Sequence, residues 1–184
     1  MAEKPLKHRP ATAKRPRRSA VREPSSEYTG LPAAWRSAES PERETPLLMD
    51  THVWIWTLNG TPRSLGSAAR TLIDRAAIAH RLFLSDFSFW EVAMLVSKGR
   101  LQLQADLMVW LDRAESAPGI ITVPVTRDVL VHSTRLPAGR HGDPADRILL
   151  AQAQMLGAAL LTCDRGIITY AFRTPGVPVC DARG

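Results

Sequence analysis

The chain has 184 residues, 45% hydrophobic and 23% charged, which fits one globular domain and is too short for two of ordinary size. No apolar run approaches the ~18 residues of a membrane span, and the basic N-terminus lacks the apolar stretch of a secretory signal, so we expect a cytoplasmic protein with no membrane segment. Two cysteines, Cys163 and Cys180, are too few for a disulfide framework or a zinc cluster, and we interpret them as small buried strand residues.

Residues 1–46 differ in composition from the rest of the chain. They are rich in Pro, Arg, Ser and Glu, and residues 1–22 carry eight Lys and Arg against one Glu. Such a segment buries too little apolar surface to offset its ordering entropy, so we predict a disordered tail. Three interpretations of it stay open: a solvated tail, an upstream segment from a wrong start codon, or an arm that touches nucleic-acid phosphates. Because residues 47–184 carry 14 Lys and Arg against 12 Asp and Glu, the basic charge belongs mainly to the tail.

From residue 47 onward, short apolar strands alternate with longer helical patterns. This alternation favours an α/β fold in which a parallel sheet is covered by helices on both faces. The carboxyl ends of parallel strands share one edge of the sheet, and ligands bind there. We predict strands near 46–50, 82–85, 120–125, 158–162 and 177–180, and helices near 64–79, 88–99, 104–116, 126–135 and 144–156.

Asp50 and Asp164 each follow a predicted apolar strand. Asp50 ends the sequence Pro-Leu-Leu-Met-Asp, where the structural alternative to a functional role is a cap for the next helix or turn. Asp164 ends Leu-Leu-Thr-Cys-Asp, and an acid at the end of a buried strand has a weaker structural reason to be there. Thr162 points to the same side as Asp164 if the strand continues, which places its hydroxyl to bond a carboxylate, a metal-bound water or a turn.

Glu91 lies near the start of a helical pattern. The sequence Ser-Phe-Trp-Glu at 88–91 has the spacing of a capping box, which explains Glu91 without any chemistry. A carboxylate in a first helical turn is also held near the edge of the sheet, so the two interpretations are compatible. We assign the neighbouring Trp90 to the core.

The next helix begins with Asp-Pro-Ala-Asp at 143–146. Asp143 is the expected N-cap and the proline the expected first helical residue, whereas Asp146 is more ambiguous because it lies where the helix meets the sheet. Arg147 is either a structural ion-pair partner or a substrate contact.

Carboxylates that meet at one edge of a sheet repel one another unless a cation lies among them. A hard divalent cation such as Mg²⁺ or Mn²⁺ prefers oxygen ligands of this kind. The histidines show no metal-ligand spacing, although His52 lies close enough to Asp50 to flank a site. No Gly-x-Ser-x-Gly nucleophile motif is present.

Four segments in order resemble the PIN domain, and specifically the VapC-like toxins of bacterial toxin–antitoxin pairs. The segments are Leu-Leu-Met-Asp-Thr-His-Val-Trp-Ile-Trp at 47–56, Ser-Asp-Phe-Ser-Phe-Trp-Glu-Val-Ala-Met-Leu-Val-Ser-Lys-Gly-Arg-Leu at 85–101, His-Gly-Asp-Pro-Ala-Asp-Arg-Ile-Leu-Leu at 141–150, and Leu-Leu-Thr-Cys-Asp-Arg at 160–165. The resemblance covers about residues 47–182. It implies a PIN domain over 47–184 with a three-layer fold, a mostly parallel five-stranded sheet with helices on both faces.

The resemblance also implies a Mg²⁺- or Mn²⁺-dependent endoribonuclease that is paired as a homodimer and silenced by a cognate VapB-like antitoxin. The family's acids fall on Asp50, Glu91, Asp146 and Asp164. Metal would be held by all of these except Glu91, which would lie close by or bind through water. The residues implied in support are Thr162 and Asp143, and basic residues near the groove, with Arg147 and Arg165 among the candidates, would hold the RNA backbone.

Other functions stay open. A TatD-like deoxyribonuclease would share the Asp-Thr-His sequence at 50–52, but this chain lacks the further histidines and the length of a barrel. A catalytically inert PIN-like module would bind RNA or a protein without cleavage, and a non-toxin metal-dependent nuclease would share the acids. A DNA-associated repressor would use the basic tail.

Overall fold

Five parallel strands form the centre of the protein, in the order β3-β2-β1-β4-β5. The computed structural model describes residues 45–60, 65–137, 143–174, 176 and 178–183. The predicted tail up to residue 44 lies outside these ranges, so its boundary stays a prediction. The strands are Leu47–Met49 (β1), Leu82–Ser85 (β2), Ile120–Val123 (β3), Ala159–Thr162 (β4) and Val179–Asp181 (β5).

Helices pack on both faces of this sheet, which confirms the predicted α/β fold. Alternate strand residues point to opposite faces, so Leu48, Phe83 and Leu160 belong to one buried cluster while Met49 and Leu161 belong to the other. None of the helices in the described part of the chain is long and apolar enough to cross a membrane. The helices are Thr51–Leu58 (α1), Ser67–Ile78 (α2), Asp86–Ser97 (α3), Leu107–Glu115 (α4), Arg127–Arg135 (α5), Pro144–Leu156 (α6) and Arg165–Arg173 (α7).

Two helices, α1 and α7, are absent from the sequence prediction. Helix α1 has the sequence Thr-His-Val-Trp-Ile-Trp-Thr-Leu, whose β-branched and aromatic residues are typical of strands. Its central Val53, Trp54 and Ile55 are all buried, so tertiary packing outweighs the local preference. Helix α7 is also hard to predict from the sequence. Only Ile167 and Tyr170, three residues apart, are buried in it, so the buried pattern is short.

The two cysteines differ slightly from their prediction. Both are half-buried and neither forms a disulfide. Cys180 lies in β5, whereas Cys163 lies one residue beyond the end of β4. They are therefore ordinary packing residues at the edge of the core, and neither contributes a cross-link.

A close approach at Gly119 yields a sharp stability prediction. Gly119 has φ +81°, and a Cβ added there would lie 2.7 Å from the Cβ of Ala77 and 3.0 Å from its Cα. We expect Gly119→Ala to lower the free energy of unfolding by about 2–4 kcal/mol, because backbone strain and a steric overlap add together. Gly99→Ala is the matched control, since Gly99 has φ +66° with open space around it, and its expected loss is about 1 kcal/mol. Equal losses in urea unfolding would contradict the overlap.

Candidate functional site

Asp50 and Asp164 come together at the carboxyl edge of the sheet, where the central strands β1 and β4 end side by side. Thr162, the last residue of β4, links them. Its hydroxyl donates to Oδ2 of Asp50 at 2.5 Å and accepts from the backbone N–H of Asp164 at 3.0 Å. Thr162 is fully buried, so this hydroxyl fixes one carboxylate and one turn at the same point.

Asp50 is the most deeply placed of the acids, with 7% of its surface exposed. It is the N-cap of α1, and its Oδ1 accepts from the backbone N–H of His52 at 3.4 Å. Burial raises the pKa of Asp50, the hydrogen bond from Thr162 and the charge of His52 oppose that rise, and the charge of Asp164 adds to it. The capping role and a role in a charged site thus coexist in one residue.

Glu91 is not part of a capping box, and that sequence prediction is wrong. Helix α3 begins at Asp86, and its N-cap is Ser85, whose hydroxyl accepts from the N–H of Phe87. Glu91 therefore lies more than a turn inside the helix, where its Oε2 accepts a 2.7 Å hydrogen bond from the hydroxyl of Thr51. Helix capping no longer explains the residue.

A buried pair of hydroxyls holds Glu91 in place. Thr51 and Ser88 are both fully buried, and their oxygens lie 3.0 Å apart. Burial raises the pKa of Glu91, as do the charges of Asp50 and Asp143, whereas the hydrogen bond from Thr51 lowers it. Thr51 follows Asp50 directly, so the first turn of α1 supplies both a carboxylate and the support for another.

Asp143, Asp146 and Asp164 lie at helix N-termini, where the helix dipole favours negative charge. Asp143 caps α6 through the N–H of Ala145, and Asp164 caps α7 through the N–H of Ile167. Asp146 lies in the first turn of α6. As expected, Asp143 is an N-cap.

Asp146 is the most perturbed of these acids. Burial and, in decreasing order, the charges of Asp143, Asp50, Asp164 and Glu91 together raise its pKa to about 7. The four other carboxylates therefore all act on Asp146, although the five residues come from four separate segments of the chain. The structure brings together every acid that the sequence singled out.

Oxygen-only donors that raise one another's pKa suit a hard divalent cation in both chemistry and charge. No set of three or more His, Cys, Asp or Glu side chains within the described ranges is already arranged to hold a metal ion. Asp143 and Asp164 each direct Oδ1 to a backbone N–H. Carboxylate oxygens are the donors that such a cation prefers, so the chemistry of this set fits the ion.

The predicted basic contacts differ in their surroundings. Arg147 donates from Nε to the carbonyl of Ser133 at 3.0 Å and from Nη2 to that of Leu136 at 2.8 Å, which ties α6 to the end of α5. These bonds support the structural interpretation of Arg147. Arg165 is exposed in the first turn of α7, beside Asp164. A role for either residue in holding RNA stays a prediction.

A groove opens from the acidic site between α1, α3 and the start of α6. We call it the aromatic groove; it has a volume of about 560 Å³. Trp90, which the sequence interpretation assigned to the core, is 54% exposed in this groove, and that assignment is wrong. The groove is lined by His52, Ile55, Trp56, Phe87, Trp90, Glu91, Met94, Leu95, Arg100, Leu101, Asp143, Pro144 and Ala145.

Sequence reasoning missed Thr51 and the exposure of Trp90. A threonine after an acid is common in any chain, and its partner Glu91 is 40 residues away. The available signal for Trp90 was its spacing: Phe87, Trp90 and Met94 recur at the interval of one helical face, which also carries Glu91.

Residues 47–173 match the PIN domain family. A search of curated proteins matches Ribonuclease VapC22 of Mycobacterium tuberculosis, 33% identical over 131 residues, which are 71% of this chain and 96% of that protein.

Solved structures with the same fold include VapBC from Salmonella typhimurium bound to DNA, with a TM-score of 0.53 and 16% identity over 75% of this chain and 98% of that one. VapBC2 from Rickettsia felis, bound to a DNA fragment from its promoter, has a TM-score of 0.52 and 15% identity over 73% of this chain and 96% of that one. At these identities the structures support the fold.

Proposed function

This chain belongs to the PIN-domain family, in its VapC-like group, and we propose that it is a metal-dependent endoribonuclease that hydrolyses RNA phosphodiester bonds. The observation that carries this proposal is the environment of Asp146, whose pKa is raised to about 7 by burial and by four other carboxylates. Carboxylates held this close together are costly, and a nuclease centre gives them a use. The similarity to a protein named as a ribonuclease supports the same reaction.

We assign the metal ligands to Asp50, Asp146 and Asp164, with Glu91 close by and Asp143 adding charge. When bound, Mg²⁺ or Mn²⁺ would neutralise non-bridging phosphate oxygens and make a nearby water more acidic. Thr162 orients Asp50 and the turn at Asp164 through its buried hydroxyl. Thr51 orients Glu91. Because water is the nucleophile, the 2′-hydroxyl of the RNA takes no part.

The biological role we propose is that of a toxin silenced by a cognate VapB-like antitoxin, and we propose a homodimer as its assembly. The solved structures with this fold are VapBC assemblies, which supports a protein partner. Co-expression with the product of an adjacent small gene tests the partner, since a complex that blocks cleavage is expected. Light scattering of the purified protein tests the homodimer.

The experiment for the reaction uses the full-length protein with total RNA from its host, in Mg²⁺, in Mn²⁺ and in EDTA. We expect discrete cleavage that needs metal and leaves no 2′,3′-cyclic phosphate, because attack of water on phosphorus yields one phosphomonoester end and one hydroxyl end. A contaminating metal-free ribonuclease would leave cyclic phosphates instead. Asp50→Asn should abolish the products, whereas the exposed Asp112→Asn should retain them. Cleavage that persists in Asp50→Asn would contradict the assigned centre.

Thr162→Val tests the buried hydroxyl with little change in shape. We expect a fall in kcat/KM of about tenfold to a hundredfold and a loss of about 1–3 kcal/mol in stability, since Asp50 and the Asp164 N–H both lose a buried partner. Thr162→Ser restores the hydroxyl and should recover most of the activity. Single-turnover cleavage and urea unfolding measure the two effects. If Thr162→Ser cleaved RNA no faster than Thr162→Val, the hydroxyl of Thr162 would not be the cause of the lost activity.

A further inference from the structure

The aromatic groove offers a surface that the acids do not explain. We propose that Trp90, supported by Phe87, is a stacking platform for an unpaired RNA base next to the cleaved phosphodiester, and that Arg100 binds the backbone phosphate beyond it. This inference rests on the proposed ribonuclease function and names the part of the substrate that the groove receives.

The platform is continuous with the acidic site. Phe87, Trp90, Glu91 and Met94 lie on one face of α3, with the spacing of neighbours on a helix surface. Trp90 and Glu91 both line the groove, so the indole and the carboxylate that Thr51 holds in place open onto the same space. An RNA strand whose phosphodiester lies at the acids therefore has its next nucleotide over the aromatic groove.

The geometry of the rings suits stacking. The ring centroids of Phe87 and Trp90 are 5.0 Å apart with planes inclined by 36°, so Phe87 supports the indole from one side. Trp90 remains 54% exposed, whereas Trp54 on α1 is fully buried. A large exposed aromatic beside a charged site is more often a contact surface than a packing residue.

Glu91 and Asp143 also line the groove, and once a metal cation offsets them, Arg100 favours a nucleic acid over an apolar peptide as the occupant. Arg100 lies on the groove and is exposed, which suits an anionic backbone. A base is flat and neutral, so it can lie against Trp90 while the phosphates on either side meet Arg100 and the metal-binding end. Stacking on an aromatic side chain accepts any base, which suits recognition of unpaired RNA.

The test measures RNA affinity in an Asp146→Asn background, so that the probe is not cut. The probe is a fluorescein-labelled, unstructured RNA of roughly 12 nucleotides, within the range of single-strand binding sites. We expect Trp90→Ala to weaken binding about tenfold and Trp90→Phe to weaken it far less, since Phe keeps a ring. Phe172→Ala, which removes a 93% exposed ring outside the groove, should have no effect.

A second set of probes carries one abasic nucleotide at each position in turn. At one position the abasic nucleotide should weaken binding about tenfold in the protein that retains Trp90. The same probe should bind Trp90→Ala no more weakly than the intact RNA does, because the base and the indole contribute through the same contact. Equal affinities for Trp90 and Trp90→Ala, or an abasic effect that is the same in both proteins, would overturn the proposal. So would a Trp90→Ala protein that loses only an antitoxin and retains its RNA affinity, since the occupant would then be a protein.

The failure of this inference is distinguishable from that of the proposed function. Cleavage by the wild-type protein reports on the acids alone, and binding in the Asp146→Asn background reports on the groove alone. Metal-dependent cleavage with no Trp90 effect overturns only the platform. Stacking without cleavage overturns only the nuclease.

Discussion

Asp146→Asn is expected to stabilise the metal-free protein while it abolishes cleavage. Burial and four neighbouring carboxylates raise the pKa of Asp146 to about 7, so the folded state opposes its ionisation at neutral pH. A neutral Asn removes that opposition, and after allowance for solvent screening we expect a gain of about 1 kcal/mol, or about 3–5 °C in Tm. Cleavage should fall about a thousandfold, because the metal that would stabilise the charge of the transition state loses one of its ligands.

The pH dependence of stability identifies the cause of that gain. The pKa of Asp146 is about 7 in the folded protein and near its ordinary 3.8 when unfolded, so the folded state holds the extra proton between these values. The contribution of this proton to the free energy of unfolding is therefore lost as pH rises from about 4 to about 7, and the wild-type protein in EDTA becomes less stable over that range. The stability of Asp146→Asn should decline less steeply with pH. Some decline should remain, because the pKa values of Asp50 and Glu91 are also raised in the folded protein.

Thermal unfolding in EDTA across that range, with and without added Mn²⁺, checks both halves of the prediction. Mn²⁺ should raise the Tm of the wild-type protein by mass action and raise that of Asp146→Asn much less. Asp112→Asn is the matched control and should follow the wild type throughout. If Asp146→Asn were less stable than the wild type in EDTA at neutral pH, the crowding of carboxylates would not be a source of instability.

Trp54→Ala is expected to cost about 3–5 kcal/mol in the free energy of unfolding. Trp54 is fully buried in the centre of α1, and its ring meets Phe89 at 5.4 Å and Trp110 at 5.3 Å, both nearly edge-on. Its removal leaves a cavity where α1, α3 and α4 meet. Since a domain of this size has about 5–15 kcal/mol in total, a large share of the stability would be gone.

Urea unfolding of Trp54→Ala beside Trp90→Ala separates burial from residue type. Both changes remove an indole, but Trp90 is exposed on its helix, so its loss should alter stability by about 0.5 kcal/mol or less. A lower midpoint with an unchanged slope is expected for Trp54→Ala. A cost below about 1.5 kcal/mol would mean that the neighbouring rings close the cavity.

The three inner strands of the sheet were predictable because they are buried on both faces. Leu47–Met49, Leu82–Ser85 and Ala159–Thr162 are short, mainly apolar runs, and a run of this kind is readable without tertiary information. Helices α1 and α7 were not, because their β-branched and aromatic residues are helical only in the packing that surrounds them.

Each acid of the site could be predicted from the sequence, but the residues that hold or border the acids could not. Asp50, Asp164 and the pair Asp143 and Asp146 lie at the end of a strand or the start of a helix, which the sequence marks, whereas Glu91 lies more than a turn inside α3. The role of the Thr51 hydroxyl depends on its hydrogen bond to Glu91, 40 residues away. The exposure of the Trp90 indole depends on which face of α3 the other helices leave uncovered. Such facts depend on distances between segments, and a single sequence does not record them.

The Thr162–Asp50 hydrogen bond joins residues 112 positions apart. Because β4 must insert beside β1 to make it, the central pairing of the sheet forms late, and a chain emerging from the ribosome has Asp50 long before its partner. A fragment that ends before Thr162 lacks Asp164 as well, so it carries only part of the site. Under the proposed function, unfinished copies of the protein are harmless to the cell that translates them.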